Sequence, residues 1–311
     1  MKRVVVVGSM NLDLVAFAPS IARAGETRAG STFQTFPGGK GANQAVAAAR
    51  VGASVSMVGK VGSDAFGEQL RANLQSSGVD IEAVAVAPGP SGVALITTDQ
   101  QGQNAITVIA GANGLVVPAD LDQNIDVIRG AAVLLSQLEL PLETVIYLSD
   151  IARREHIPLV LDPAPASPVP SALLNNVAWL TPNETEACSL LGDAGQQISD
   201  DDVPRFAEAL LKLGSRNVIL KLGDRGCFLA LSDGTRERIP AYPVRAVDST
   251  AAGDAFNGAF AAALLDGRSP IESARYASAV AAISVTRNGA QPSMPTRAEV
   301  EQFLGQELAS G

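Results

Sequence analysis

The stretch Val247-Asp248-Ser249-Thr250-Ala251-Ala252-Gly253-Asp254-Ala255-Phe256-Asn257-Gly258 combines residue types that can hold an anion and move a proton. Ala251, Ala252 and Gly253 are small and open a long apolar segment, so three unobstructed backbone N–H groups are expected at a helix start. The first amides of a helix lack intrahelical acceptors and carry partial positive charge. With no bulky side chain in the way, a phosphate can approach them closely. Asp254 follows at once, in the first turn. A carboxylate there has two uses: it complements the helix dipole, or it takes a proton beside a bound anion. The stretch alone does not separate them.

A second glycine-rich run, Pro37-Gly38-Gly39-Lys40-Gly41-Ala42-Asn43-Gln44, also leads into a helical pattern. It is not a phosphate-binding loop of the GxxxxGK[ST] type, because Gly41 follows the lysine and Gln34 stands where the first glycine belongs. After the first apolar run there is Gly8-Ser9-Met10-Asn11-Leu12-Asp13, which is no dinucleotide fingerprint either. What these segments supply is polar groups at strand ends and a helix start: Asn11, Asp13, Lys40, Asn43 and Glu139. Such a set suits a polyhydroxylated ligand.

The elements that must position these groups follow from hydrophobic periodicity. Residues 4–7, 55–58, 133–135, 159–161, 178–180 and 218–220 are short, apolar and rich in β-branched types, and read as buried parallel strands. Between and after them, residues 42–51, 66–75, 142–154, 184–191 and 203–213 carry helical spacing, as do 251–265, 270–286 and 296–308. Strand and helix in alternation predict a three-layer α/β sandwich around a mostly parallel sheet. The run 162–168, with three prolines, reads as a rigid loop at a strand's C-terminal end, where open α/β sheets bind ligands. Residues 14–36 and 91–111 break the rhythm with alternating, threonine-containing patterns and no helix between. They predict antiparallel strands and a hairpin inserted into one domain spanning 1–311, serving as a lid, an oligomer contact or plain edge strands.

Bulk composition bounds the partners. The 311 residues are 47% hydrophobic and 18% charged, with 23 basic and 32 acidic residues and a formal charge of −9. That balance disfavours nucleic acid and anionic lipid. Met1-Lys2-Arg3 before residues 4–7 imitates a signal peptide, but the apolar run is too short, and nothing approaches the roughly 18 apolar residues of a membrane span. Cys188 and Cys227 have no metal-like spacing and read as core fillers in a reducing setting. His156, the single histidine, reads as a loop residue with no metal partners.

The motifs taken together resemble the PfkB-type (ribokinase) carbohydrate kinase family. The resemblance rests on residues 38–45, Ala110-Gly111-Ala112-Asn113, Thr181-Pro182-Asn183-Glu184-Thr185-Glu186, 248–258 and 285–293, in the family's order along the whole chain. It implies a ribokinase-like fold with a small β lid and transfer of phosphate from ATP to a small furanose sugar such as ribose. Asp254 would be the base, and the amides of 251–253 the anion hole. Asn11, Asp13, Gly39, Lys40, Asn43 and Glu139 would hold the sugar. Asn183 and Glu186 would lie near the triphosphate and Mg²⁺, with Gly223, Asp224 and Gly226 along the nucleotide and Ser278 near the base. Asp248, Thr250, Ser284, Arg287, Gly289 and Ser293 would form a K⁺ site built largely from carbonyls.

Lys221 departs from the pattern, which has a small hydroxyl residue at that strand end; either it contacts a phosphate or it is an exposed surface lysine. The resemblance further implies a homodimer joined through the lid, and the spacing of the two cysteines reads as a reduced, cytoplasmic setting. Two other readings stay open. One is the same chemistry on deoxyribose, fructose or a nucleoside, although a nucleoside would want aromatic stacking that only Phe17, Phe33 and Phe36 offer. The other is a sugar-binding sensor without turnover.

Overall fold

In the computed structural model, which describes residues 2–310, the chain opens with β1 (Arg3–Val7), β2 (Asn11–Phe17), β3 (Thr32–Gly38), α1 (Lys40–Arg50) and β4 (Val55–Gly62). It continues through α2 (Ala65–Ser76), β5 (Val79–Asp80), β6 (Val84–Ala87), β7 (Gly92–Thr98), β8 (Asn104–Ile109), α3 (Pro118–Gln123) and α4 (Ile125–Arg129). Next come β9 (Ala131–Ser136), α5 (Leu142–Arg154), β10 (Leu159–Leu161), α6 (Ser171–Leu174), β11 (Trp179–Leu180), α7 (Glu184–Leu191) and α8 (Val203–Lys212). The last part holds β12 (Asn217–Lys221), β13 (Cys227–Ala230), β14 (Arg236–Ile239), α9 (Ala252–Leu265), α10 (Pro270–Ser284) and α11 (Arg297–Ser310).

The main sheet follows the order β14-β13-β12-β11-β10-β9-β1-β4-β5, with β6 also pairing β4. Pairing is parallel from β12 to β5 and antiparallel only at the β12-β13-β14 edge. The valines of β1 show why both faces are covered. Val4 and Val6 pack into one apolar cluster with residues of α1, α9 and α10, whereas Val5 and Val7 join a second cluster with α5 and α8. A strand buried on both sides needs apolar residues at consecutive positions, and that is the run read from the sequence. The sandwich is therefore as expected, and the long helices begin and end within three residues of their predicted bounds. The short pieces β5, β6, α3, α4 and α6 and the hairpin β13-β14 left too weak a periodic signal to be read.

The two irregular segments meet in a second sheet of order β3-β2-β7-β8. The antiparallel expectation needs one correction: β2 and β7, one from each segment, pair in parallel along Asn11–Phe17 and Gly92–Thr98. They are separate excursions from the same end of the core, so neither is the other's hairpin partner. Strands β2 and β3 also reach further than predicted, to Asn11 and Gly38. They thereby run directly into the polar groups at the end of β1 and the start of α1.

Two close approaches fix the helices above that edge. Gly39, the N-cap of α1, has φ 87°, a left-handed conformation that costs glycine nothing, and a Cβ there would stand 2.7 Å from the Asn11 nitrogen. On α9, a Cβ on Gly258 would come within 2.7 Å of the Ala47 Cβ and 2.9 Å of the Ala48 nitrogen. The bare glycine lets α9 lie against α1. One turn before it, Asp254 is thus pressed onto the first turn of α1.

Candidate active site

Five adjacent parallel strands end at one edge, and each delivers polar groups there. After β1 comes Ser9, after β9 Gln137 and Glu139, after β10 Asp162, after β11 Asn183, and β12 ends in Lys221. Helices α1 and α9 close over this edge with Lys40, Asn43, Gln44 and Asp254. This is the position at which open α/β sheets bind ligands.

Asp254 is 5% exposed, and each of its carboxylate oxygens accepts one hydrogen bond. Asn43 Nδ2 donates to its Oδ2 at 2.9 Å, and Gln44 Nε2 donates to its Oδ1 at 3.0 Å. Burial raises its proton affinity and the Asp162 charge adds to that, while the Lys40 ammonium and the two amides oppose it; the balance lies above the ordinary aspartate value. Burial would lower the pKa of Lys40, but Asp254, Asp162, Glu139 and Glu186 outweigh it and hold the ammonium charged. Asp13 is pushed up to about 7 by burial and then by the Glu139 and Asp254 charges.

The remaining sugar-type groups form the neighbouring wall. Glu139 Oε2 accepts the Lys40 backbone N–H at 3.1 Å and a short hydrogen bond from Ser9 Oγ. Asn113 Nδ2 donates to Asn11 Oδ1 at 2.7 Å and to Met10 O at 3.0 Å, which fixes the Asn11 amide. Of the expected sugar residues, Asn43 bonds Asp254 directly, the Lys40 and Asp13 charges act on it, and Glu139 is tied to the Lys40 backbone.

The anion hole needs a correction. Ala251 is the N-cap of α9, with φ 59° and ψ 17°, a left-handed conformation costing an alanine about 1 kcal/mol. It reverses the chain so tightly that the Ala252 N–H donates to Ser249 O at 3.2 Å. Of the three expected amides, those of Ala251 and Gly253 find no partner among the described residues, and the Ala252 amide is engaged. Lys221 reinforces this point: its Nζ lies 3.3 Å from where a Gly253 Cβ would stand and 3.0 Å from Asp162 Oδ1. Its side chain is only 12% exposed, so the exposed-lysine alternative does not hold.

Asn183 and Glu186 cap α7 reciprocally, with Glu186 N–H donating to Asn183 Oδ1 at 2.8 Å and Asn183 Nδ2 to Glu186 Oε1 at 2.9 Å. Glu186 also faces the cluster. Burial raises its pKa, with the Lys221 charge opposing and Asp162 adding. Gly223, Asp224 and Gly226 form the turn between β12 and β13, with Asp224 exposed. Ser278 lies on α10 with its Oγ 3.9 Å from Cys227 Sγ.

The proposed cation residues divide. Asp248 accepts from the Thr250 N–H at 2.9 Å and the Gly289 N–H at 2.8 Å, tying two loops together. The hydroxyls of Ser284 and Ser293 donate to Ala281 O and Ala290 O, and Arg287 pairs with Glu299 at 2.6 Å. Beyond these bonds the two segments offer Asp248, the Thr250 hydroxyl and main-chain carbonyls, all hard oxygen donors. Among the described residues no three His, Cys, Asp or Glu side chains form a metal-binding group. His156 follows α5 with φ 55°, far from this edge, and both cysteines are buried and free.

Sequence reasoning missed Gln44, Asp162, Gln137, Asn113 and Gln291. Gln44 stood inside a quoted motif, and Asp162 is a carboxylate directly after a predicted strand, the same signal that had marked Glu139. Asn113 and Gln291 also stood inside motifs that carry the family resemblance, and only Gln137 has nothing in the sequence to separate it from an ordinary loop residue.

Comparison with known proteins agrees with this geometry. Residues 1–297 match the pfkB family carbohydrate kinase pattern. The chain is 41% identical to the ribokinase of Bacillus subtilis over 306 residues, covering 98% of this chain and 100% of that one. It is 34% identical to the deoxyribokinase of Salmonella typhi, covering 97% and 98%. The ribokinase of Arabidopsis thaliana, solved with ribose and ATP, superposes with a TM-score of 0.91 at 34% identity over 98% of this chain and 99% of that chain. The chain belongs to the pfkB family of carbohydrate kinases.

Proposed function

We propose that this chain transfers the γ-phosphoryl group of ATP to the 5-hydroxyl of D-ribose. The observation that carries the reading is one juxtaposition: the buried Asp254 carboxylate, the unpartnered Gly253 amide and Lys221 meet at the start of α9, beside the wall of Asn11, Asp13, Lys40 and Glu139. The relatives named above act on ribose or deoxyribose, and the wall has the hydrogen-bonding character a small polar sugar needs.

In the transfer step the sugar's primary hydroxyl attacks the γ-phosphorus. The new O–P bond forms as the bond to the bridging oxygen breaks, ADP leaves with that electron pair, and the hydroxyl proton passes to Asp254. The raised proton affinity of Asp254 suits it to accept that proton. The Ala251 and Gly253 amides and the Lys221 ammonium stabilise charge on the transferring group, which is most of what phosphoryl transfer asks of a protein. Lys40 and Asp13 hold the sugar in place.

Two cations are part of the proposal. Glu186, with the phosphates, would supply oxygen ligands for Mg²⁺, which would neutralise phosphate charge. Asp248 and the carbonyls of the 248–250 and 284–293 segments suit K⁺, and shape the loop that leads into Ala251. The small sheet serves as the lid. Its exposed apolar residues Phe33 (64%), Ile106 (54%) and Val108 (54%) support a dimer joined through that face. Among the described residues no helix is long and apolar enough to cross a membrane. Together with two free, buried thiols this supports a cytoplasmic setting.

The test is ADP release with ribose, deoxyribose, fructose, a nucleoside and no sugar, in Mg²⁺ with K⁺ or Na⁺. Ribose should give the highest kcat/KM, and K⁺ should exceed Na⁺. Deoxyribose in first place would move the substrate, and sugar binding without ADP release would make the protein a sensor.

A further inference from the structure

Asp254 is the end point of two hydrogen-bond chains built from side-chain amides. On one side Asn43 Nδ2 donates to Oδ2, and Gln291 Nε2 donates to Asn43 Oδ1 at 3.0 Å. On the other Gln44 Nε2 donates to Oδ1, and Gln137 Nε2 donates to Gln44 Oε1 at 2.7 Å. Gln137 follows β9 and Gln291 opens the turn after α10, so three distant segments converge on one carboxylate. All four amide residues are buried.

An ionised carboxylate only accepts hydrogen bonds, whereas a primary amide donates from one end and accepts at the other. Asp254 therefore needs the NH₂ ends of Asn43 and Gln44 turned inward. The two ends of an amide are nearly the same shape, so packing does not choose between them, and a flip would set oxygen against oxygen. For Gln44 part of the choice is made by Asp162, whose Oδ2 accepts from the same Nε2 at 2.9 Å; for Asn43, and for the outer oxygen of Gln44, it is made one residue further out. Gln291 and Gln137 present NH₂ to the outer oxygens of Asn43 and Gln44, and each does so in only one orientation.

These outer glutamines are held in turn. Asn73 Nδ2 donates to Gln291 Oε1 at 2.5 Å. Gln137 Oε1 is buried with no partner among the described residues, and it packs where a Cβ on Gly8 would collide with it. An orphaned buried acceptor is unusual and calls for a reason. The reason here is that its other end must face Gln44.

We infer that Gln137 and Gln291 are positioning residues for phosphoryl transfer, locking the Asn43 and Gln44 amides with their NH₂ groups toward Asp254. Each carboxylate oxygen then has one lone pair bound and another left for the sugar hydroxyl. The inference rests on Asp254 being the base proposed above. The other charges facing Asp254 are Lys40 on α1, Asp13 on β2 and Asp162 after β10, the last paired with Lys221 of β12. Burial raises the Asp254 pKa and the two amides are among the groups that restrain it. Losing an amide donor lets it rise further, so the acid limb of kcat must move to higher pH.

The experiment compares wild type with Gln291→Glu, Gln291→Met, Gln137→Glu and Gln137→Met. It measures kcat and KM for ribose and ATP against pH, with a thermal melt for each. The glutamate variants keep the shape but exchange the amide donor for a carboxyl that is charged or donates through O–H, so the methionine variants, which keep only the packing, decide the outcome. Expected are a kcat loss of about tenfold, an acid limb raised by about one pH unit and an unchanged KM for ATP. Folded methionine variants with wild-type kcat and acid limb would overturn the inference, since packing alone would then suffice. Loss of the folded state in both variants of a glutamine would assign that residue to structure and overturn its positioning role. An inactive wild type would sink the proposed activity together with the inference, whereas an active wild type with unshifted variants sinks the inference alone.

Discussion

The surroundings of Asp254, the proposed transfer end, and those of Gly223, Asp224 and Ser278, the proposed nucleotide end, are built differently. At the transfer end, Asp254, Asn43, Gln44 and Asp162 are between 0% and 6% exposed and joined by hydrogen bonds from β9, β10, α1 and α9. At the nucleotide end, Gly223 has open space where a Cβ would go, Asp224 is exposed, and Ser278 makes only a long contact to a thiol. The difference teaches where the fold spends its order. Charge develops at the transferring phosphoryl group, so preorganised dipoles there act on the rate, while the rest of the nucleotide needs only to be held.

If that contrast is right, damage should scale with distance from Asp254. Asp254→Asn should lower kcat by ~10²–10⁴-fold with ribose binding retained by calorimetry; near-normal turnover would remove the residue from its role. Lys221→Met should lower kcat by about 10²-fold, because one stabilising donor to the transferring group is lost. An effect confined to KM for ATP would place Lys221 with the nucleotide end instead. Gly258→Val, which touches no ligand, should push α9 off α1 and cost about as much in kcat as a 1 Å misplacement does, ~10²-fold, with a lowered melting temperature. Substitutions at Asp224 should change KM for ATP by far less than any of these change kcat.

Asp13 gives a pH test of the sugar wall. Burial, and then the Glu139 and Asp254 charges, push its carboxyl up to about 7. In the proposed site its ionised form would accept sugar hydroxyls, so ribose affinity should fall as pH drops through 7 toward 5, by up to about tenfold per unit. Asp13→Asn should flatten that dependence. A ribose affinity equally pH-dependent in the variant would assign the titration to another group. The smallest effect on turnover is expected from Phe33→Ser with Ile106→Lys on the small sheet, which should convert a dimer to monomers by light scattering.

Most of the scaffold was legible because it is written in short-range patterns. The valines of β1 and the apolar spacing of α5 and α7 predicted their elements with little error, since burial on both faces or on one stripe leaves a direct periodicity. Asp254 and the glycine-rich start of α1 were legible for a different reason: a close-approach helix start demands small residues in sequence. Three things were not. The parallel pairing of β2 with β7 joins segments about 80 residues apart, and nothing local encodes it. The Ala252 amide is taken by Ser249 because Ala251 adopts a left-handed conformation that alanine composition does not announce. Gln137 and Gln291 matter through the end of the amide they present, and that orientation exists only once β9, α1 and the turn after α10 have met.

The most direct test is a structure with ribose and a non-hydrolysable ATP analogue bound in Mg²⁺ and K⁺. The account predicts the ribose 5-hydroxyl oxygen about 2.6–3.2 Å from an Asp254 oxygen, with the γ-phosphate facing the Gly253 amide and Lys221. A 5-hydroxyl turned away from Asp254, or a γ-phosphate that leaves both the Gly253 amide and Lys221 without a contact, would contradict it.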